Sequence, residues 1–501
     1  MPIVIVWGIL MVGEKCGVFG AKCFDGSEAF VNLYWGLVAQ NHRGHESYGF
    51  LTHSEGLRRY VDLGLVPRIE RQEFLRWSIL LPGNVGIAHV RYGTSGHRDV
   101  YAHLKDAQPI VVSRGRDKLG LAYNGNLVNI GWLKEFVANR NGRLKTTSDT
   151  ELLSRYLIDN MDRGLMDSVR LCMENVEGAF SVVGLRSSGE FFAFRDPLGM
   201  RPLCLGQSRD GNIKAVSSET VGLDINDFKV VNEVEPGEAL IFTKDGMERE
   251  RLVRKGRRAF CGFEFSYFAR PDSRINGKCV YSVREEFGRN LGRRYQDVVR
   301  DSDLIVSIPE TADDAAYGLH EETGLRWERT LRRHRFVTHR AFIMESSMRS
   351  STIDRKINVP DGGLKGKRVI VVEDSIVRGD TTKTVIAKLR GAGAEKVYMF
   401  VTFPRITHPC FYGIDMATFT ELIGFYFDEQ GIADAIGADA VCYQPLEDFM
   451  RATGMRKEDL CMACTTGCYP TDLAQRIADK VRSTINKSDR SRVYERLNLE
   501  V

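Results

Sequence analysis

An apolar run at 369–372 leads into Glu373-Asp374-Ser375-Ile376-Val377-Arg378-Gly379-Asp380-Thr381-Thr382, and a helix-like stretch follows as far as Leu389. Two carboxylates at the C-terminal end of a strand, then a glycine and hydroxyl loop at a helix N-terminus, have the chemistry to bind a sugar phosphate. The backbone N–H groups and the helix dipole favour the phosphate. Thr381 and Thr382 can donate hydroxyl hydrogen bonds, while Glu373 and Asp374 suit ribose hydroxyls or a magnesium ion. The same composition also serves an ordinary strand-to-helix turn with a capped helix, and the residues alone leave both readings open. Cysteine supplies the second chemical signal. Cys16 stands alone near the start, whereas Cys461, Cys464 and Cys468 cluster near the end, a distribution that argues for chemistry rather than a disulfide framework. A single cysteine is otherwise a small apolar core residue.

These groups need elements to hold them. From 16 to 242 short alternating runs are punctuated by glycine, and 85–92, 119–123, 179–185 and 190–194 read as antiparallel strands. The pattern predicts helices over 28–39 and 148–159, the second opened by Ser148 with Glu151 three residues on, a capping arrangement. The first half is therefore α+β. Beyond the charged stretch 248–258, apolar strands at 304–308, 336–343, 368–372 and 396–401 alternate with helix-length segments, the signature of a mostly parallel sheet. The boundary falls within 245–260. The chain divides into residues 1–15, a first domain at 16–250, a second at 251–480 and a polar tail at 481–501.

A length of 501 residues leaves room for about two to four domains with large cores. With 43% hydrophobic and 27% charged residues, disordered and low-complexity classes are excluded. A net charge of +4 is too small to predict nucleic-acid or membrane-surface binding, so an anionic ligand must find a local site. The longest apolar run, 2–11, falls short of the ~20 residues that span a bilayer. It lacks both a basic region before it and a small-x-small cleavage signature after it, so a cytoplasmic protein is expected.

The loop Asp374-Ser375-Ile376-Val377-Arg378-Gly379 resembles the binding signature of type I phosphoribosyltransferases, and its wording is closest to the glutamine phosphoribosylpyrophosphate amidotransferase family. The resemblance runs from about residue 16 to 480. Cys16-Gly17-Val18-Phe19-Gly20 is similar to that family's mature N-terminus, His42-Arg43-Gly44 with Glu46-Ser47 to its next block, and His89-Val90-Arg91-Tyr92 to its glutamine-clamp strand. Asn124-Gly125-Asn126-Leu127, Ser148-Asp149, Arg195-Asp196-Pro197 and Arg201-Pro202-Leu203 follow in the family's order. In the second half the matching blocks are Tyr267-Phe268-Ala269-Arg270-Pro271-Asp272-Ser273 and Pro409-Cys410-Phe411-Tyr412-Gly413-Ile414-Asp415.

The resemblance implies an α+β N-terminal-nucleophile glutaminase domain, with stacked antiparallel sheets between helices, followed by an α/β type I phosphoribosyltransferase domain. It makes Cys16 the nucleophile and residues 1–15 a propeptide or a misplaced start. An N-terminal cysteine supplies its own base, because an α-amine titrates near ~8. Asn124 and the N–H of Gly125 would form the oxyanion hole, with Arg43, Arg91 and Asp149 binding glutamine, Arg91 at its α-carboxylate and Asp149 at its α-amine. Glu373, Asp374, Ser375, Arg378, Gly379, Asp380, Thr381 and Thr382 would hold phosphoribosylpyrophosphate, with Thr311, Glu373 and Asp374 around magnesium. Cys261, Cys410, Cys461 and Cys464 match the family's iron–sulfur type. Thiolates from three distant segments suit a 4Fe-4S cluster, with zinc as the chemical competitor and Cys468 a bystander. The implied activity is glutamine-dependent formation of 5-phosphoribosylamine, glutamate and pyrophosphate, the first step of de novo purine synthesis, with purine nucleotides as inhibitors and a homotetrameric assembly.

Three places depart from the family pattern. His45-Glu46 stands in place of Gln-Glu and Tyr48 in place of a small residue, changes that bear on the glutamine pocket. Pro309-Glu310-Thr311-Ala312 replaces a Pro-Asp-Ser-Gly pyrophosphate loop, and a side chain in place of that glycine is expected to hinder close backbone approach. Met344-Glu345-Ser346-Ser347-Met348-Arg349 replaces the flexible loop that in relatives folds over the active site and forms the ammonia channel. Together they open a second reading: a phosphoribosylpyrophosphate-binding regulatory or divergent paralog with changed or lost catalysis. A third, another N-terminal-nucleophile glutaminase with a different synthase partner, is opposed by the 374–382 loop.

Overall fold

The computed structural model describes residues 16–92, 100–140, 143–333, 357–360, 363–414, 416 and 418–483. The expected leader at 1–15, the strand at 336–343, the loop at 344–349 and the tail beyond 483 lie outside the described residues.

The glycine-punctuated runs of the first half become antiparallel strands: β1 Gly17–Cys23, β2 Ser47–His53, β3 Leu57–Leu63, β4 Val85–Arg91, β5 Ile110–Arg114, β6 Asp117–Leu127, β7 Gly178–Arg186, β8 Phe191–Arg195, β9 Cys204–Gln207, β10 Ile213–Ser217, β11 Lys229–Glu233, β12 Glu238–Phe242 and β13 Met247–Arg251. They assemble into one sheet of order β11-β9-β10-β1-β4-β2-β3 and another of order β13-β12-β8-β7-β6-β5. Val18, Leu51 and Ile87 from the first meet Ala122, Val183 and Leu240 from the second in a shared core, so the sheets stack face to face. The helix Phe30–Ala39 covers the outside of the first sheet, and the helices Ile130–Ala138, Asp149–Asn160 and Leu165–Asn175 cover the second. Central strands are thus buried on both faces, and every residue of β1, Lys22 included, is buried rather than every second one. Ser148 caps its helix, accepting from the Thr150 N–H at 3.3 Å. The reciprocal half of the expected box is absent, because Glu151 accepts from the Lys145 and Thr146 N–H groups instead, at 2.8 and 2.7 Å.

After β13 the chain is already docked on the first domain, with Ala259 and Cys261 donating backbone hydrogen bonds to Leu198 and Met200. Short strands follow: β14 Phe260–Cys261, β15 Arg274–Ile275, β16 Lys278–Cys279, β17 Leu304–Ser307, β18 Arg326–Trp327, β19 Arg332–Arg333, β20 Ile357–Asn358, β21 Arg368–Glu373, β22 Lys396–Val401, β23 Ala440–Tyr443 and β24 Leu460–Cys461. The main sheet, β18-β17-β21-β22-β23, is parallel at every pairing. Helices Asp380–Gly391 and Glu429–Ile436 cover one face, and Val280–Arg294 and Asp313–Thr323 the other. β21 is the middle strand, so Glu373 and Asp374 emerge at the carboxyl crest of the sheet, where ligands of open α/β folds bind.

The helices Val280–Arg294 and Asp313–Thr323 cross at glycines. A Cβ at Gly288 would lie 1.8 Å from the carbonyl oxygen of Ala315, and one at Gly318 would lie 2.0 Å from that of Glu285. Because backbone rather than a flexible side chain occupies that space, Gly288→Val is expected to lower unfolding stability by about 3 kcal/mol or more, measured as a shift in denaturant midpoint.

Candidate active site

Cys16 immediately precedes β1 at the centre of the first sheet and is buried. The helical turn Asn41–Arg43 carries Arg43 beneath it, and the Arg43 Nε donates to the Cys16 carbonyl at 3.0 Å. The family resemblance assigns Arg43 to glutamine. The fold instead encloses its guanidinium completely and commits it to two carboxylates, Glu219 and Glu264, so Arg43 can act on glutamine only through the Cys16 backbone.

Arg91, at the end of β4, stands amid Glu46, Asp106, Cys16 and Asp149. Burial opposes its charge, but those neighbours outweigh it and hold the guanidinium in its charged form. Its Nη1 donates to Glu46 at 2.8 Å, and His103 Nδ1 lies 3.1 Å from the same carboxylate. Asp149, in the first turn of its helix, accepts from the Tyr123 hydroxyl. Asp106 draws the approach to that turn inward, accepting from the Thr147 N–H at 2.9 Å and its hydroxyl at 2.6 Å. Asn124, on β6, is 2% exposed, and its Nδ2 has no hydrogen-bond partner among the described residues. A buried amide donor left open is costly unless a ligand completes it. Gly125 beside it cannot be replaced without disturbing the sheet, since a Cβ there would lie 1.8 Å from the Ala179 carbonyl oxygen. The strand is pinned across the two sheets by His89, whose Nε2 lies 3.1 Å from the Tyr123 carbonyl. Burial and the nearby Arg91 push His89 down to about 3, so the ring is neutral and donates there.

The departures at the glutaminase end resolve differently. Tyr48 does not face the pocket: strand alternation turns it outward against Trp77, at 6.2 Å between ring centroids, in the aromatic core beneath the helix Phe30–Ala39. His45 packs edge-on against Tyr92 at 4.7 Å, beside the Arg91 cluster. Glu46 and His103 join the Arg91 cluster, and the resemblance implies no role for either. Glu46 was legible as the acid of the second family block, whereas no local signal marks His103.

In the second domain Asp374 is a hub. Its two carboxylate oxygens accept from Ser375 Oγ at 2.6 Å and from Thr311 Oγ1 at 2.7 Å, joining the loop after β21 to the loop after β17. Glu373 accepts from the Asp374 N–H at 3.0 Å, and burial, then the like charge of Asp374, push its carboxyl well above the usual range. Gly379, with φ of 86°, opens the helix Asp380–Gly391 in the left-handed region that favours glycine, leaving Asp380, Thr381 and Thr382 in its first turn. Arg378 is turned to Glu421, with Nε at 3.1 Å, so its charge is already paired and it ties the loop to the Thr418–Glu421 cap. Ala312 does not obstruct the altered loop. Its backbone has an ordinary φ of −90°, and its methyl is buried with Leu291, Ile305 and Leu319, directed into the core.

Cys261 pairs with Cys461 across the parallel β14–β24 ladder, and together with Cys410 and Cys464 they line one cavity beside Arg201 and Tyr412. Burial, reinforced by neighbouring thiols, raises all three of Cys261, Cys461 and Cys464, Cys261 to about 12. Among the described residues, no three His, Cys, Asp or Glu side chains converge as a single metal ion requires. Cys468 is exposed and outside the cavity.

The "Glutamine amidotransferase domain" family model matches residues 97–224. The amidophosphoribosyltransferase of Bacillus subtilis is 35% identical over 471 residues, covering 93% of this chain and 96% of its own. The chain belongs to the amidophosphoribosyltransferase family. The Archaeoglobus fulgidus amidophosphoribosyltransferase is likewise 35% identical, over 91% of this chain and 98% of its own. Among solved structures, the B. subtilis glutamine phosphoribosylpyrophosphate amidotransferase complexed with ADP and GMP superposes with a TM-score of 0.82 at 34% identity, covering 91% of this chain and 98% of that one. The family's two domains, stacked antiparallel sheets followed by a parallel-sheet transferase, are those found here.

Proposed function

We propose that the chain makes 5-phosphoribosylamine, glutamate and pyrophosphate from glutamine and phosphoribosylpyrophosphate, the first step of de novo purine synthesis. The observation that carries this is the presence, in one chain, of a nucleophile with an open amide donor beside a clustered Arg91 and Asp149, and of the Glu373–Thr382 loop at the sheet crest. In this reading Cys16, with its α-amine free after loss of residues 1–15, attacks the glutamine side-chain carbonyl while that amine takes the thiol proton. Asn124 Nδ2 and the Gly125 N–H receive the developing oxyanion, Arg91 holds the α-carboxylate and Asp149 the α-ammonium. Ammonia departs, water releases glutamate from the thioester, and ammonia then attacks C1 of the ribose as pyrophosphate leaves. The N–H groups at 379–382 hold the 5-phosphate, and the carboxylates after β21 hold the ribose hydroxyls. Thr311, Glu373 and Asp374 bring hard oxygen donors together, which suits magnesium, and magnesium when bound would neutralise charge on the departing pyrophosphate.

A regulatory paralog without catalysis gains no support, since the Ala312 methyl lies in the core. The test is product formation by purified protein with phosphoribosylpyrophosphate and either glutamine or ammonia. Protein that binds phosphoribosylpyrophosphate yet uses neither nitrogen source overturns the proposal.

Cys261, Cys410, Cys461 and Cys464 would hold a 4Fe-4S cluster, which would supply a rigid cross-link between their segments. One zinc at ~2.3 Å from each sulfur draws its ligands to within ~4 Å of one another. Four thiols from three segments lining one cavity suit a cluster that bridges those segments. Protein purified without oxygen is expected to be brown with about four irons per chain, by metal analysis. Stoichiometric zinc without iron would reject the cluster. Purine nucleotides as inhibitors fit the ADP and GMP of the solved B. subtilis relative. A homotetramer and a cytoplasmic location complete the reading. Eleven cysteines with no disulfide among the described residues suit a reducing compartment, and among the same residues no helix is long and apolar enough to cross a membrane.

A further inference from the structure

The nucleophile's seat is completed from the other domain. Glu264 lies in the π-helical turn Glu264–Phe268, three residues after Cys261, and is fully buried. Its carboxylate meets the Arg43 guanidinium end-on, Oε2 accepting from Nη1 at 3.0 Å and Oε1 from Nη2 at 2.9 Å, while the Nε of the same guanidinium supports the Cys16 carbonyl. A bidentate fork fixes both the plane and the distance of a guanidinium, which a single contact does not. Glu219, from the first domain, holds the remaining side of Arg43 and also accepts from His42, from the Ser273 hydroxyl at 2.6 Å and from the Arg270 N–H at 2.9 Å. Glu264 also faces Arg201 Nη1 at 3.4 Å, and Arg201 donates from Nη2 to the Tyr412 carbonyl at 2.8 Å.

A second contact reaches the oxyanion strand independently. Asn126, two residues beyond Asn124 on β6, donates from Nδ2 to the Phe411 carbonyl at 2.8 Å. Both halves of the glutamine-cleaving site therefore rest on backbone or carboxylate groups from the two segments that carry Cys261 and Cys410.

We propose that Glu264 is a positioning residue for Cys16: a buried carboxylate of the transferase domain that holds Arg43, and through it the nucleophile's backbone, in the geometry glutamine cleavage needs. The inference rests on Cys16 being the glutaminase nucleophile. It makes the first domain dependent on the second for nucleophile geometry, while the second domain's own chemistry does not use the contact.

The test is Glu264→Gln in the full-length chain. The variant keeps the side-chain shape but removes the charge and turns an amide donor toward the guanidinium. Three quantities are compared with the unaltered protein: steady-state glutamine hydrolysis, ammonia-dependent synthesis, and the pH profile of Cys16 alkylation by diazo-oxo-norleucine, a glutamine analogue. Glutaminase kcat is expected to fall about tenfold or more, with KM for glutamine held within about twofold and alkylation slowed in parallel across the pH range. Ammonia-dependent synthesis should stay within about twofold. Unchanged hydrolysis, or hydrolysis and ammonia-dependent synthesis falling together, would overturn the inference. If Glu264→Gln fails to fold, Glu264→Asp decides by the same measurements, because it keeps the charge but draws the fork back by one methylene. If Cys16 of the unaltered protein is not the alkylated residue, the proposed function fails rather than this inference.

Discussion

Cys16→Ala is expected to eliminate glutamine-dependent synthesis, on the order of 10⁴-fold or more, and to leave ammonia-dependent synthesis within about twofold. In the proposed mechanism the Cys16 thiol forms the acyl intermediate, and an oxyanion hole at Asn124 and Gly125 would have nothing to stabilise until that nucleophile adds. The second domain, by contrast, needs only ammonia at C1 of the ribose, and free ammonia reaches it from solution. Alanine is also a mild change structurally. Cys16 is buried, and its backbone tie to Arg43 runs through the carbonyl, which alanine keeps. A parallel assay with glutamine and with ammonium salts at saturating phosphoribosylpyrophosphate checks the expectation. Loss of both activities would show that the two half-reactions are not separable in the way the fold suggests.

Asp374→Asn is expected to do the reverse, lowering synthesis with either nitrogen source by about 100-fold or more while basal glutamine hydrolysis persists. The Asp374 carboxylate accepts from Ser375 and Thr311, while the Asp374 backbone N–H donates to Glu373, so the substitution removes negative charge at the point where the loops after β17 and β21 are joined. The asparagine retains shape and one acceptor, which keeps the loss in the chemistry rather than in folding. Relief of the like charge should also bring the Glu373 carboxyl back toward its ordinary range, since Asp374 is second only to burial in raising it. Initial rates measured with each nitrogen source, alongside thermal unfolding, distinguish the outcomes. An equal fall in basal glutaminase, or a large drop in unfolding temperature, would contradict this assignment.

What the sequence determined by itself is the part set by local pattern. Strands at 85–92, 119–123, 179–185 and 396–401 were legible from glycine-bounded apolar runs, and the helices at 28–39 and 148–159 from period and cap, because side-chain periodicity and backbone preference act over a few residues. The loop at 373–382 carried its chemistry in consecutive residues, so its position at the end of β21 followed from the run before it. Tertiary structure alone decided which distant groups meet. Tyr48 faces an aromatic core rather than a pocket because a strand sends neighbouring side chains to opposite faces, and only the stacking of two sheets says which face is which. Arg43 became a support for Cys16 because Glu219 and Glu264, 176 and 221 residues away, close around it once the domains dock. The Ala312 methyl lies in the core rather than in the loop because of its dihedrals, a property of the helix that follows rather than of the loop's wording. In each case the deciding energy is the burial of a charge or an apolar group against partners far away in the chain, and spacing along a sequence does not encode that contact.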